Sequence, residues 1–133
     1  MRFHYDDGGR SKYYKAKNVG DCVTRAIAIA NGWDYKFTYN LVKKYNGGNT
    51  PRNGVYKVVY NKLLSDYGWK WIPCCGKGVE NNSVHMSANE LPNGIVICRL
   101  SRHLTTVIDG VIFDTYDCSR EETRKVYGYW IKE

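Results

Sequence analysis

His103-Leu104-Thr105-Thr106-Val107-Ile108-Asp109-Gly110-Val111-Ile112-Phe113-Asp114 reads as a β-hairpin, and the rest of the chain can be arranged around it. Two runs rich in β-branched and aromatic residues flank Asp109-Gly110, a pair suited to a two-residue type I′ turn. Such a turn sets the register. Ile108 opposes Val111, Val107 opposes Ile112, Thr106 opposes Phe113, Thr105 opposes Asp114, Leu104 opposes Thr115, and His103 opposes Tyr116. Side chains alternate between faces, so His103 and Thr105 share a face with Asp114 and Tyr116. Asp114 is then the diagonal neighbour of His103, roughly 7–8 Å away at the backbone and within reach of a side-chain hydrogen bond. A slip of one residue would separate the two, so the inference depends on the turn.

Around this hairpin the second half of the chain reads as short strands: Trp69–Pro73, Ser83–Met86, Gly94–Leu100, His103–Asp109, Val111–Tyr116 and Val126–Lys132. The first half reads as helices. Asp21 resembles an N-cap before Cys22-Val23-Thr24-Arg25-Ala26-Ile27-Ala28-Ile29-Ala30, which Asn31-Gly32 closes. A second helix runs from Asp34 to Tyr45 with Phe37, Leu41 and Tyr45 on one stripe, and Gly47-Gly48 ends it. Thr50-Pro51 resembles the start of a third helix that carries Val55, Val58, Val59, Leu63 and Leu64 and stops at Gly68. Helices followed by antiparallel strands make an α+β fold, with the Ala/Ile face of the first helix packed on the sheet.

A length of 133 residues allows one core, so residues 1–133 are expected to form a single domain, with residues 1–17 a polar, basic arm. No apolar run approaches the ~18 residues of a membrane helix, and Met1-Arg2-Phe3-His4-Tyr5-Asp6-Asp7 lacks the apolar segment of a secretory signal. The expectation is a cytoplasmic protein with no membrane partner. Lys and Arg outnumber Asp and Glu by 20 to 13, a net charge of +7 that favours anionic partners. The five cysteines Cys22, Cys74, Cys75, Cys98 and Cys118 form an odd set without a secretory signal, which argues against a disulfide framework and raises the question of a nucleophile.

Cys22 answers it best. It follows Gly20-Asp21 and opens a helix, where unpaired N–H groups and the positive end of the helix dipole favour thiolate over thiol. The same N–H groups can cradle an oxyanion. A cysteine there also reads as a small core residue, since free Cys is among the most buried types. His103 tips the balance: a carboxylate at Asp114 would fix its tautomer and stabilise the imidazolium, leaving the other ring nitrogen for a thiol. Asp117 is the reserve candidate for that orienting role.

Cys on the first helix, then His on a strand, then Asp on the next strand resembles the chain order of papain-like cysteine peptidases. Asp21-Cys22 before a small-residue helix, with His103-Leu104-Thr105-Thr106-Val107 and Asp114-Thr115, looks most like the short C39-like peptidase group. Gly20-Asp21-Cys22-Val23-Thr24-Arg25-Ala26 is also similar to the nucleophile motif of the OTU deubiquitinases, which sets Gly-Asn-Cys before an aromatic-Arg-Ala helix. The Thr50-Pro51-Arg52 loop with Gly54, and the Tyr127-Gly128-Tyr129-Trp130 end, resemble open reading frames of bacteriophages. The resemblance spans residues 16–118 and rests on few specific residues. It implies a papain-like fold, Cys22 as nucleophile, His103 as general base then acid, and Asp114 as orienter, acting on a protein or peptide amide bond without a cofactor. The family's oxyanion donor is a Gln several residues before the Cys, where Ala16 and Lys17 stand here. Asn18, closer to Cys22, carries an equivalent amide, and the Cys22 backbone N–H would be the second donor.

Two competing features remain. Arg10-Ser11-Lys12-Tyr13-Tyr14-Lys15-Ala16-Lys17 interleaves the cations Arg10, Lys12, Lys15 and Lys17 with tyrosines, the composition of a single-stranded nucleic-acid platform. It is equally the composition of a solvated arm or of a surface that docks an acidic substrate. The non-catalytic alternative is therefore a basic module that binds nucleic acid, the less favoured partner, or an acidic host protein. Cys74-Cys75 with His85, Cys98 or Cys118 lacks the spaced pairs of a structural zinc site, so no metal is expected. Gly76-Lys77-Gly78 is too short for a phosphate loop. Trp69, Trp71, Tyr127, Tyr129 and Trp130 are expected to pack the face of the sheet away from the helices, with part of the cluster left to line a substrate cleft. Oligomeric state has no signature here.

Overall fold

A computed structural model describes residues 1–15, 19–79 and 83–132. The chain is α+β, with three helices on a six-stranded mixed sheet. The strands are β1 (Arg2–Tyr5), β2 (Trp69–Pro73), β3 (Ile95–Leu100), β4 (His103–Ile108), β5 (Val111–Asp114) and β6 (Gly128–Lys132), in spatial order β1-β5-β4-β3-β6-β2. The helices are α1 (Cys22–Asn31), α2 (Tyr35–Tyr45) and α3 (Lys57–Asp66). Among the described residues no helix is long and apolar enough to cross a membrane.

The hairpin has the register its turn dictates: Ile108 pairs with Val111, Val107 with Ile112 and Thr106 with Phe113. Asp109 and Gly110 both take positive φ, at 49° and 78°, as a type I′ turn requires. The sheet, however, is not purely antiparallel. Arg2–Tyr5 lies parallel to β5, pairing Arg2 with Val111 and Tyr5 with Asp114, so the beginning of the expected arm is an edge strand. All four of its residues are exposed, which leaves no alternation of buried and exposed side chains to betray it.

Two cores lie on opposite faces of the sheet. Ile97 and Leu104 point to the helices and meet Val23, Ile27, Val42, Leu63 and Leu64. Val96, Cys98, Leu100, Val107 and Ile112 point the other way, under a cover of Val84, Met86, Leu91, Cys118 and Val126. Full burial of each such side chain is worth roughly 1.5–3 kcal/mol, so both layers matter to stability. Trp69 and Trp130 belong to the helix-side core and Trp71 packs against it, whereas Tyr129 packs on the far side. The expectation that the tryptophans cover the far face is corrected: helix residues with small side chains leave volume that large rings fill. α1 is fastened to the sheet by a hydrogen bond from the Thr106 hydroxyl to the Ala26 carbonyl at 2.7 Å.

Three local expectations change. Asp34 does cap α2, accepting from the Phe37 N–H at 3.2 Å, but the helix buries Tyr35, Thr38, Tyr39 and Val42 and leaves Phe37 exposed. α3 begins at Lys57, so Thr50-Pro51 and Val55 lie in the loop before it. The Ser83–Met86 segment forms only a bridge between His85 and Lys125.

Candidate active site

Cys22 occupies the first position of α1. The first intrahelical bond runs from the Arg25 N–H to the Asp21 carbonyl at 3.0 Å, so the N–H groups of Cys22, Val23 and Thr24 precede the helix's own acceptors and point toward the end where the sulfur lies. Gly20 has a packing reason. Its N–H and carbonyl lie against the loop of residues 50–56, with Gly54 N–H donating to its carbonyl at 2.9 Å, and a Cβ on Gly20 would lie 3.2 Å from the Arg52 carbonyl oxygen. That loop forms one wall of the cleft over Cys22.

The hairpin supplies the other wall. His103, at the first position of β4, has its Nε2 2.7 Å from Asp114 Oδ2. Its ring also lines the same two pockets as Cys22 and acts on the thiol's ionisation. With Nε2 taken by Asp114, Nδ1 is the nitrogen left for the thiol. The Thr105 hydroxyl donates to the same Asp114 oxygen at 2.7 Å, as its place on that face requires, and the Cys118 thiol reaches it at 3.8 Å. The other Asp114 oxygen accepts from the Thr115 N–H at 2.6 Å and from Arg25 Nη2 at 3.3 Å. The Tyr116 ring flanks His103 with centroids 5.2 Å apart.

These neighbours set the charges. Burial opposes ionisation of Cys22, but the hydrogen bond and charge of His103, the Leu104 backbone N–H and the Arg25 guanidinium outweigh it and hold the thiol below its ordinary range. Burial likewise opposes charge on His103, yet its hydrogen bonds to Asp114, Cys118 and Cys22 push it up to about 12. Asp114, although buried, is held below the usual carboxylate range by His103 and Thr105. These shifts all favour a thiolate–imidazolium pair, backed by a carboxylate, over the neutral thiol and imidazole. Cys98 and Cys74 are pushed the opposite way by burial and stay protonated.

Cys22, His103 and Asp114 thus come together as the sequence suggested. Asp117 does not join them: it is exposed and its carboxylate accepts from the Ser119 N–H and hydroxyl at 3.0 and 2.7 Å. Asn18 and Lys17 lie outside the described residues. Lys12 and Lys15 are exposed, but Arg10 is not a surface cation. It is buried with Nη1 2.9 Å from Asp21 Oδ1, because the fold needs a counter-charge for a carboxylate that is itself wholly buried. Asp21 is correspondingly not a capping side chain. It makes no cap hydrogen bond and instead takes Arg10, Arg25 and the Tyr35 hydroxyl at 2.7 Å.

Sequence reasoning placed Thr105 on the right face but gave it no role, and it missed Arg25 and Cys118. Arg25 was detectable as a cation one helical turn after Cys22, on the same side of an otherwise apolar helix. Cys118 carried no signal, since loop residues have no periodicity. Among the described residues His103, Asp114 and Cys118 form a group able to hold a metal ion, their ligand atoms within 4.8 Å of one another. Cys74, Cys75 and His85 are not part of it.

The cleft beside Cys22 has a volume of about 520 Å³ and is walled by Gly54–Lys57, Tyr60, Arg99–Leu104 and Tyr127. A second pocket of about 280 Å³ lies across Cys22 and His103, bounded by Gly20, Arg25, Arg102, Thr115 and Tyr116. A chain laid through both would cross the sulfur. No family model, curated protein or solved structure matches this chain.

Proposed function

We propose that the chain is a papain-like thiol hydrolase that cleaves a peptide or isopeptide amide bond. One observation carries the reading: His103, its Nε2 2.7 Å from Asp114, lines an open cleft together with the helix-opening Cys22. Nucleophile, base and orienter are all present, with room for a substrate between them.

Cys22 thiolate attacks the scissile carbonyl and forms a tetrahedral oxyanion. The N–H groups at the start of α1 face that charge. His103, as imidazolium, gives its proton to the departing amine, and the C–N bond breaks to leave an acyl thioester on Cys22. His103, now neutral, takes a proton from water, which attacks the thioester. The carboxylic acid leaves and the ion pair returns. Asp114 remains ionised throughout and keeps the ring aimed at the sulfur.

The basic binding module loses ground on a specific residue, because Arg10 spends its charge on Asp21 inside the protein. The setting proposed is the cytoplasm, that of the host for a phage-encoded chain acting on a host protein.

Iodoacetamide at neutral pH tests the site. Cys22 is expected to alkylate at least about tenfold faster than Cys74, Cys75, Cys98 and Cys118, with His103→Ala abolishing the preference. A ubiquitin-like or peptide probe with an electrophilic C-terminus should then become attached at Cys22 alone. Uniform alkylation of the five thiols overturns the reading.

A further inference from the structure

The cleft beside Cys22 is lined by the cations Lys57, Arg99 and Arg102 and, among the described residues, by no carboxylate. Arg99 leaves β3 on the helix side, where it lines the cleft with Tyr60 and its guanidinium lies 5.8 Å from the centre of the Tyr127 ring. The Lys57 ammonium sits 5.0 Å above the Trp71 ring. Ring contacts hold a cation in place but leave its charge uncompensated. Among the described residues no carboxylate pairs with any of the three, in contrast to Arg10 and Arg25, which both pair with Asp21. Arg102 also borders the smaller pocket, so it stands beside the sulfur on both sides.

We infer that this cleft is an anion subsite, in which Arg99 and Arg102 hold the carboxylate side chain of an Asp or Glu next to the scissile bond of a peptide substrate. The inference depends on the hydrolase reading only for where that bond lies. Guanidinium groups pair with carboxylates in two parallel hydrogen bonds, and a half-buried Arg already held by a tyrosine loses little freedom in doing so. The same charges repel a segment rich in Arg or Lys, so a basic tail is a poor substrate for this cleft.

Two small reagents of the same reach, iodoacetate and iodoacetamide, read the subsite at Cys22 without any hydrolysis. Iodoacetate is expected to gain on iodoacetamide at low salt, and Arg102→Glu with Arg99→Gln to lower the ratio of the two rates about tenfold. Arg2→Glu, on an edge strand away from the cleft, leaves the ratio unchanged. A ratio insensitive to Arg99 and Arg102 overturns the subsite even if Cys22 is hyper-reactive. If Cys22 shows no special reactivity, the hydrolase reading fails. The subsite is then judged in the Cys22→Ala chain, by whether a fluorescent Glu-rich decapeptide binds at least tenfold more tightly than its Lys-rich counterpart and loses that margin in the Arg99/Arg102 double variant. Equal binding of the two peptides overturns it.

Discussion

Arg25 reaches from the second turn of α1 to Asp114 at the end of β5, its Nη2 3.3 Å from the carboxylate, while its Nη1 pairs with Asp21. One guanidinium therefore ties the helix that carries Cys22 to the strand that carries Asp114. All three groups are buried, so neither carboxylate has water to fall back on. Removing one partner of such a set typically costs about 3–5 kcal/mol. Arg25→Met is expected to lower the unfolding free energy by that amount in urea, with the slope against urea unchanged, and Arg25→Lys to recover part of it.

Asp114 acts on Cys22 through His103. Asp114→Asn keeps the shape and withdraws the charge, so the His103 value falls from its raised position near 12 and the Cys22 thiol rises toward its ordinary 9.0. The midpoint of Cys22 alkylation against pH should move upward, and the rate at neutral pH should drop at least about tenfold. Asp117→Asn, whose carboxylate serves Ser119, should leave the midpoint where it is.

The ion pair also shapes stability against pH. The folded state keeps the His103 proton above 6.5, where the unfolded state has lost it, so this contribution is full below 6.5 and declines as pH rises toward about 12. Cys22 works the other way. Its lowered value means the folded state has already released a proton that the unfolded thiol keeps up to 9.0. Between the lowered Cys22 value and 9.0 the two proton counts oppose each other, and this site's contribution flattens. Above 9.0 the His103 mismatch stands alone, and stability falls by up to ~1.4 kcal/mol per pH unit. In Cys22→Ser nothing offsets the His103 mismatch, so the decline should run without a plateau from near 6.5. Urea unfolding of both proteins at a series of pH values, taken as a difference, isolates the effect from the other titrating groups.

What the sequence disclosed depended on local rules. Asp109-Gly110 admits one tight turn, that turn admits one register, and the register puts Asp114 beside His103 without any long-range information. Cys22 at a helix start was legible for the same reason. What stayed hidden was set by distant partners. Arg2–Tyr5 joins the sheet by its backbone against β5, with every side chain exposed, so no hydrophobic pattern marks it. Asp21 and Arg10 look like a cap and a surface charge until the fold brings them into contact inside the protein. Trp130 and Tyr129 are adjacent aromatics whose faces differ only because a strand alternates.

Arg102 has a positive φ of 56° in the loop that follows Leu100 and precedes His103. A side chain in the left-handed region costs about 1–2 kcal/mol, and glycine there is free of that strain but gives back about 0.5–1 kcal/mol in chain entropy. Arg102→Gly is therefore expected to stabilise the protein by about 0.5–1 kcal/mol in thermal or urea unfolding. The same variant should lose part of the iodoacetate preference at Cys22. Strain kept at the loop position that sets a cation beside Cys22 is what the proposed anion subsite would account for. Destabilisation by Arg102→Gly would instead assign the side chain a packing role and detach it from substrate selection.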